Sequence, residues 1–367
     1  MRRRVNLFDL DTPALVVDLD RLEVNLEAMA AHARAAGGRL RPHTKTHKTP
    51  EIARLQLEAG AAGITVAKLG EAEVMAAAGV TDILVAYPLL GAAKLERLAR
   101  LRESARVVVS LDSVEVARGL GELGVATREP VEVYVEVDTG LHRLGRPTGE
   151  ATAELVERVA AVPGIRVLGL MTHAGHAYGV GPDELGALVE DEVAGLRATR
   201  ELCAQRGVEL SEISVGSTPT AHAELGAAGV TEARPGTYVF NDTTMIELGA
   251  ATEATCAAFV LATVVSRPSE DRFVIDAGTK CLSSDHDDRP GWLRVAGRDD
   301  LAFEFLNEEH GVGRLDPERG RTLAIGDKVL VIPAHVCPVV NLFDSMTLVR
   351  EGRVEGEWAI AARGRVA

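Results

Sequence analysis

The chain has 367 residues, 46% of them apolar and 26% charged, with a formal net charge of -14. That balance lacks the basic footprint of a nucleic-acid binder, and no run approaches the roughly 18 apolar residues of a membrane span. The four cysteines, Cys203, Cys256, Cys281 and Cys337, are far apart and form no CxxC pair, which points away from a disulfide scaffold and towards a reducing cytoplasm. The opening residues lack a hydrophobic signal core, and the basic cluster Arg2-Arg3-Arg4 is too short to anchor a chain, so a cytoplasmic location is expected.

In chain order, residues 14–17 read as a strand and 22–36 as a helix, and a second strand runs to His43. Helix 50–58 then leads to strand 63–66, and helix 70–78 to strand 82–86. The alternation continues through strands 106–109, 131–137, 167–172 and 212–215, with helices at 94–101, 114–119, 152–161 and 182–206. Near-continuous apolar strands separated by helical stretches indicate parallel β/α units. About eight strand candidates predict a (β/α)8 TIM-type barrel. A doubly wound open sheet is the alternative, but no GxGxxG or GxxxxGK[ST] stands at a strand-to-helix junction.

From about residue 250 helical periodicity fades, and 257–266, 272–276, 301–305, 328–332, 346–350 and 353–361 read as short strands. The expected layout is an N-terminal strand within 1–15 joining a β-rich domain, a barrel over 16–248, and that C-terminal β-rich domain over 249–367.

In such a barrel, chemistry sits at the C-terminal ends of the strands. Lys45 falls there, inside Arg41-Pro42-His43-Thr44-Lys45-Thr46-His47-Lys48, a segment with two lysines, two histidines and no acid. Neighbouring cations favour a neutral amine, the form that attacks carbonyls. Lys45 lies nearer the strand end than Lys48 and is the preferred Schiff-base lysine; a solvated basic loop is the bland alternative. Asp138 and Arg143 follow strand 131–137, where a simple ion pair between them is the alternative to ligand binding. His173 follows strand 167–172, in His173-Ala174-Gly175-His176-Ala177-Tyr178. Local metal ligation by His173 and His176, substrate contact and ring packing all stay open there.

Gly216, Ser217 and Thr218 follow strand 212–215 in a turn rich in small hydroxyl residues, and Pro235-Gly236-Thr237-Tyr238 forms a second turn. Backbone amides and hydroxyls in such turns cradle phosphate, although a plain βα turn has the same composition. Beyond strand 328–332, His335 and Cys337 share one face if the segment is extended. Nitrogen plus sulfur selects Zn2+ over Ca2+ or Mg2+, with a buried structural His and Cys as the alternative.

Eight segments together resemble one family: 41–48 (RPHTKTHK), 136–145 (EVDTGLHRLG), 173–178 (HAGHAY), 214–220 (SVGSTPT), 235–240 (PGTYVF), 276–280 (DAGTK), 308–311 (EEHG) and 333–337 (PAHVC). They resemble the fold-type III pyridoxal-phosphate enzymes, built like alanine racemase, and within them the metal-dependent D-serine dehydratases and D-threonine aldolases. The resemblance implies pyridoxal 5'-phosphate (PLP), a Zn2+ ion (Mn2+ or another divalent ion in its place), a D-amino acid substrate and a homodimer. It implies Lys45 as the Schiff-base lysine and Arg143 as partner of the pyridine nitrogen. It also implies phosphate binding by Gly216, Ser217, Thr218, Gly236 and Tyr238, with Thr237 in the same turn, and metal binding by His335 and Cys337. His173 and Tyr178 are placed as cofactor or substrate contacts. The His-x-Cys pair and the segments HAGHAY and SVGSTPT resemble the dehydratase branch, so a 2-oxo acid and ammonia are the expected products, and aldol cleavage to glycine and an aldehyde is the alternative. A PLP-binding protein without catalysis is a third and minor reading.

Overall fold

The computed structural model describes residues 5–285, 291–319 and 321–367. The Arg2-Arg3-Arg4 cluster lies outside them. The chain forms two compact units, one of Ala28–Lys45, Pro50–Gly236 and Arg365–Ala367, the other of Met1–Glu27, Thr46–Thr49 and Thr237–Gly364.

The first unit is a strongly curled parallel sheet flanked by helices. Its eight main strands run in the spatial order Arg39–Leu40, Glu232–Ala233, Glu212–Val215, Ile165–Met171, Val131–Asp138, Arg106–Leu111, Asp82–Val85 and Ile64–Val66. Regular pairing stops between the first and last of these. There a single parallel bridge joins His43 to Thr65, and the amides of Ala62 and Thr65 donate to Leu40 O and Pro42 O, each at 2.8 Å. The strands are legible as apolar runs because both faces are covered: Arg106–Leu111 is buried at every position but the first. The expected strand count holds, but its membership changes. The short, fully buried strand Glu232–Ala233 completes the curl, whereas Ala14–Asp18 pairs elsewhere.

The N-terminal ends of these strands carry charge. Arg41, 5% exposed at its side chain, reaches past the neighbouring strand Ile64–Val66 to Asp82 at 2.5 Å, and its Nε lies 2.8 Å from Glu232. Arg106 holds Asp82 at 2.8 Å and Glu132 at 2.6 Å, and Arg39 holds Glu212 at 2.6 Å. Ser214 donates to Glu232 at 2.7 Å. Each buried acid therefore has a cation or hydroxyl, as a charge out of water requires. This ring leaves the opposite strand ends for other work.

The second unit is a mixed β-sheet. Its strands run Leu301–Leu306, Gly311–Leu315, Arg272–Ile275, Ala258–Ser269, Ala14–Asp18, Ser345–Arg350 and Arg353–Ala359. Strand Lys328–Ile332 pairs antiparallel with Ala258–Ser269, placing Val260 opposite Val331. Ala14–Asp18 runs antiparallel to Ala258–Ser269 and parallel to Ser345–Arg350. Its buried Val16 packs with Leu7, Leu261 and Val349 in the core.

Candidate functional site

Lys45 ends its segment of the first unit, just past the His43–Thr65 bridge, and its backbone amide lies 3.3 Å from His43 Nδ1. His173, after strand Ile165–Met171, donates its Nδ1 proton to Gly216 O. Desolvation, then the cations Lys45, Arg143 and Arg234, hold the imidazole at about 3, against the pull of that hydrogen bond. The ring is therefore neutral at physiological pH, with Nε2 as its acceptor nitrogen. Among the described residues His173 and His176 belong to no group of three or more His, Cys, Asp or Glu that could hold a metal ion. Tyr178 is half-buried in the 3-10 turn Gly175–Gly179.

Gly216, Ser217 and Thr218 are buried at the end of strand Glu212–Val215. The hydroxyls of Ser217 and Thr218 are out of contact with solvent and have no hydrogen-bond partner among the described residues. Two buried hydroxyls without partners are costly, so their presence in one turn fits an anionic group that accepts from both. The cradle suits the phosphate of PLP. Replacing Ser217 and Thr218 together with alanine should weaken PLP binding by about 10–100-fold, the worth of hydrogen bonds to a charged group. Titration of the apoprotein with PLP measures it, and an unchanged affinity would remove these hydroxyls from the cradle.

Arg143 is exposed in the loop after Val131–Asp138. The simple alternative of an Arg143–Asp138 pair does not form among the described residues. Asp138 instead accepts from the amides of Gly140 and His142, at 3.0 and 2.9 Å, and meets His142 Nδ1 at 2.9 Å. Burial raises the Asp138 carboxyl, but these bonds outweigh it and keep the group below its ordinary value.

Sequence reasoning missed Arg234, one residue before the Pro235-Gly236 turn. It is fully buried, donating to Ser214 Oγ at 2.6 Å and to Thr172 O at 2.5 Å. A Cβ on Gly216 would come within 3.2 Å of it, so glycine there makes room for the guanidinium. Arg234 thus ties the ends of two strands, beside His173 and beside the cradle. A buried arginine flanked by glycine-rich turns was the available signal.

In the second unit, Thr237 and Tyr238 form a buried 3-10 turn, and Thr237 Oγ1 lies 3.9 Å from Cys337 Sγ. Cys337 Sγ also lies 3.2 Å from Thr46 Oγ1. The expected extended segment does not continue through Cys337. His335 is extended (φ -135°, ψ 112°), but the chain turns at Val336 into the short helix Val336–Val340, which carries Cys337. The two side chains nevertheless interact. Burial disfavours an imidazolium at His335, but Cys337, Asp242 and Asp285 outweigh it and raise the ring to about 10. His335 Nδ1 stands 2.6 Å from Asp285 Oδ2, which leaves Nε2 for an ion. A carboxylate on the far nitrogen is the usual partner of a metal-binding histidine. The donor set fits Zn2+ as two protein ligands; no group of three or more His, Cys, Asp or Glu forms a metal cluster among the described residues.

Residues 17–244 match the family profile of the alanine racemase N-terminal domain, and 257–349 match a putative serine dehydratase domain. The chain belongs to the fold-type III PLP enzymes. It is 34% identical to a D-threonine aldolase of Arthrobacter sp over 97% of this chain and 93% of that one. It is 35% identical to a D-threo-3-hydroxyaspartate dehydratase of Delftia sp. (strain HT23), over 95% of this chain and 97% of that one. The crystal structure of a D-threonine aldolase from Filomicrobium marinum superimposes with a TM-score of 0.91 at 34% identity, covering 100% of this chain and 99% of that one. This alanine-racemase-like enzyme thus falls in a PLP-dependent lyase group holding both aldolases and dehydratases. No helix among its described residues is long and apolar enough to cross a membrane.

Proposed function

We propose that this enzyme cleaves β-hydroxy-D-amino acids between Cα and Cβ, giving glycine and an aldehyde. The observation that carries the reading is end-to-end similarity to D-threonine aldolase, in sequence and in fold. It supports cleavage over the elimination expected from the His-x-Cys pair and from segments 173–178 and 214–220. Elimination to a 2-oxo acid and ammonia is the second reading, favoured by that pair and by the 35% identity to a dehydratase.

When bound, PLP supplies an electron sink conjugated to Cα, and Zn2+ supplies a Lewis acid for the β-oxygen. Lys45 would hold the cofactor through its amine, and Ser217, Thr218, Gly216 and the Gly236–Tyr238 turn would hold its phosphate. Arg143 is the proposed partner of the pyridine nitrogen, and Tyr178 a contact of cofactor or substrate. His335 and Cys337 hold the ion, with Asp285 orienting His335. His173, neutral, adds no positive charge beside Lys45. Once free of the cofactor, the Lys45 amine would deliver a proton to Cα as the Cα–Cβ bond breaks, with the proton lost from the β-hydroxyl making up the balance. In elimination the same amine takes the Cα proton instead. A homodimer is the proposed assembly.

D-Threonine distinguishes the two outcomes with PLP- and zinc-loaded protein. Glycine with acetaldehyde is expected; 2-oxobutyrate with ammonia would overturn the aldolase reading in favour of the dehydratase.

A further inference from the structure

We propose that Asp242 is a positioning residue that sets the geometry of the His335–Cys337 pair for its metal ion. The inference rests on the reading of those two residues as ligands. Asp242 is 1% exposed, and its two carboxylate oxygens serve two different helices. Oδ1 accepts from Met245 N at 3.0 Å and caps the helix Thr243–Glu247. Oδ2 accepts from Val336 N at 3.0 Å.

Val336 is the pivot between the two ligands. Behind it His335 is extended, and ahead of it the helix Val336–Val340 carries Cys337. His335 itself makes no side-chain cap to that helix. The carboxylate of Asp242 therefore fixes the point at which the backbone changes direction, and with it the approach of imidazole to sulfur. The flanking chain is fastened alongside. Thr243 N donates to Pro333 O at 3.0 Å, and Thr244 Oγ1 donates to Ala334 O at 2.8 Å.

The residue type supports the assignment. Serine, threonine and asparagine all cap a helix. Serine has one acceptor atom, too short to serve two amides from this position. Asparagine would turn its amide nitrogen, a donor, against a donor. Only a carboxylate satisfies Met245 and Val336 together. Burying that charge is unfavourable, and a cap alone would not require it.

The test measures Zn2+ affinity by chelator competition on the full-length, PLP-loaded protein, with PLP absorbance read in parallel. Asp242→Ser keeps a cap for Met245 but releases Val336. Val336→Pro removes the donor and leaves Asp242 in place. Proline suits the first residue of a helix, and the extended His335 suits the residue before proline. Each variant should bind Zn2+ about 10–100-fold more weakly, the usual effect of losing a partner that orients a ligand, with PLP absorbance retained. The double variant should fall little further than the weaker single one.

Wild-type zinc affinity in both variants, with affinity lost in His335→Ala and Cys337→Ala, would overturn the proposal and leave the ligands standing. Wild-type affinity in His335→Ala and Cys337→Ala would overturn the ligand reading, and the proposal with it. Loss of PLP together with zinc in both Asp242→Ser and Val336→Pro would mark a purely structural role and also count against the proposal.

Discussion

Lys45→Ala should abolish the visible absorbance of bound PLP and lower turnover by at least about 10²–10⁴-fold, the range for losing one positioned acid–base group. The loss should exceed that of any other single change in the basic segment, because the same amine both holds the cofactor and moves the proton. Lys48→Ala is the decisive control. Lys48 sits three residues on at a left-handed φ of 54°, its carbonyl accepting from Ala362 N at 3.0 Å within the other unit. Its backbone is fastened into that unit, so its removal should leave the absorbance intact. Absorbance lost with Lys48→Ala and kept with Lys45→Ala would reverse the assignment.

Cys337→Ala should strip zinc and turnover while PLP stays bound. Removing one of two protein ligands should weaken zinc binding by more than the ~10–100-fold that follows loss of an orienting group. The cradle hydroxyls of Ser217 and Thr218 belong to the other unit and do not depend on sulfur. Metal analysis with absorbance on the same sample makes the comparison. Unchanged zinc stoichiometry would show that Cys337 is a half-buried thiol and no ligand. Without the ion, the His335–Cys337 couple favours a protonated imidazole, which burial alone would oppose. Zinc binding should therefore release protons, and its affinity should rise with pH as the imidazole deprotonates.

The parallel strands were legible because burial on both faces writes a near-continuous apolar run, as in Val107, Val108 and Val109 of Arg106–Leu111. The cradle was legible because small hydroxyl residues stood directly after such a run. Glu232–Ala233 was not, since two residues beginning with an acid carry no strand period. That acid is buried only because Arg41 and Ser214, far away in sequence, meet it. Arg41 opens the basic segment, and only its ion pairs with residues far away in sequence place it in the structural ring. The turn at Val336 was hidden for a similar reason. Its cap comes from Asp242, 94 residues upstream, and local propensity holds no record of it.

The charged ring at the N-terminal strand ends also bears on how this chain can change over generations. Arg41 and Glu232 are both buried, at 4% and 0% exposure. Losing Glu232 leaves Arg41 with Asp82, and losing Arg41 leaves Glu232 with Ser214 and the more distant Arg39; each loss costs up to about 3–5 kcal/mol, a large part of the ~5–15 kcal/mol that holds a domain folded. Exchanging both for apolar residues of similar volume carries no such penalty. The two compositions are separated by a valley that single substitutions do not cross, so positions 41 and 232 are epistatic. The ring reaches the opposite strand ends through Ser214 and Arg234, and loop positions outside that link are free to diversify one residue at a time. Inherited rigidity at one end of the sheet leaves substrate preference at the other open to drift and selection.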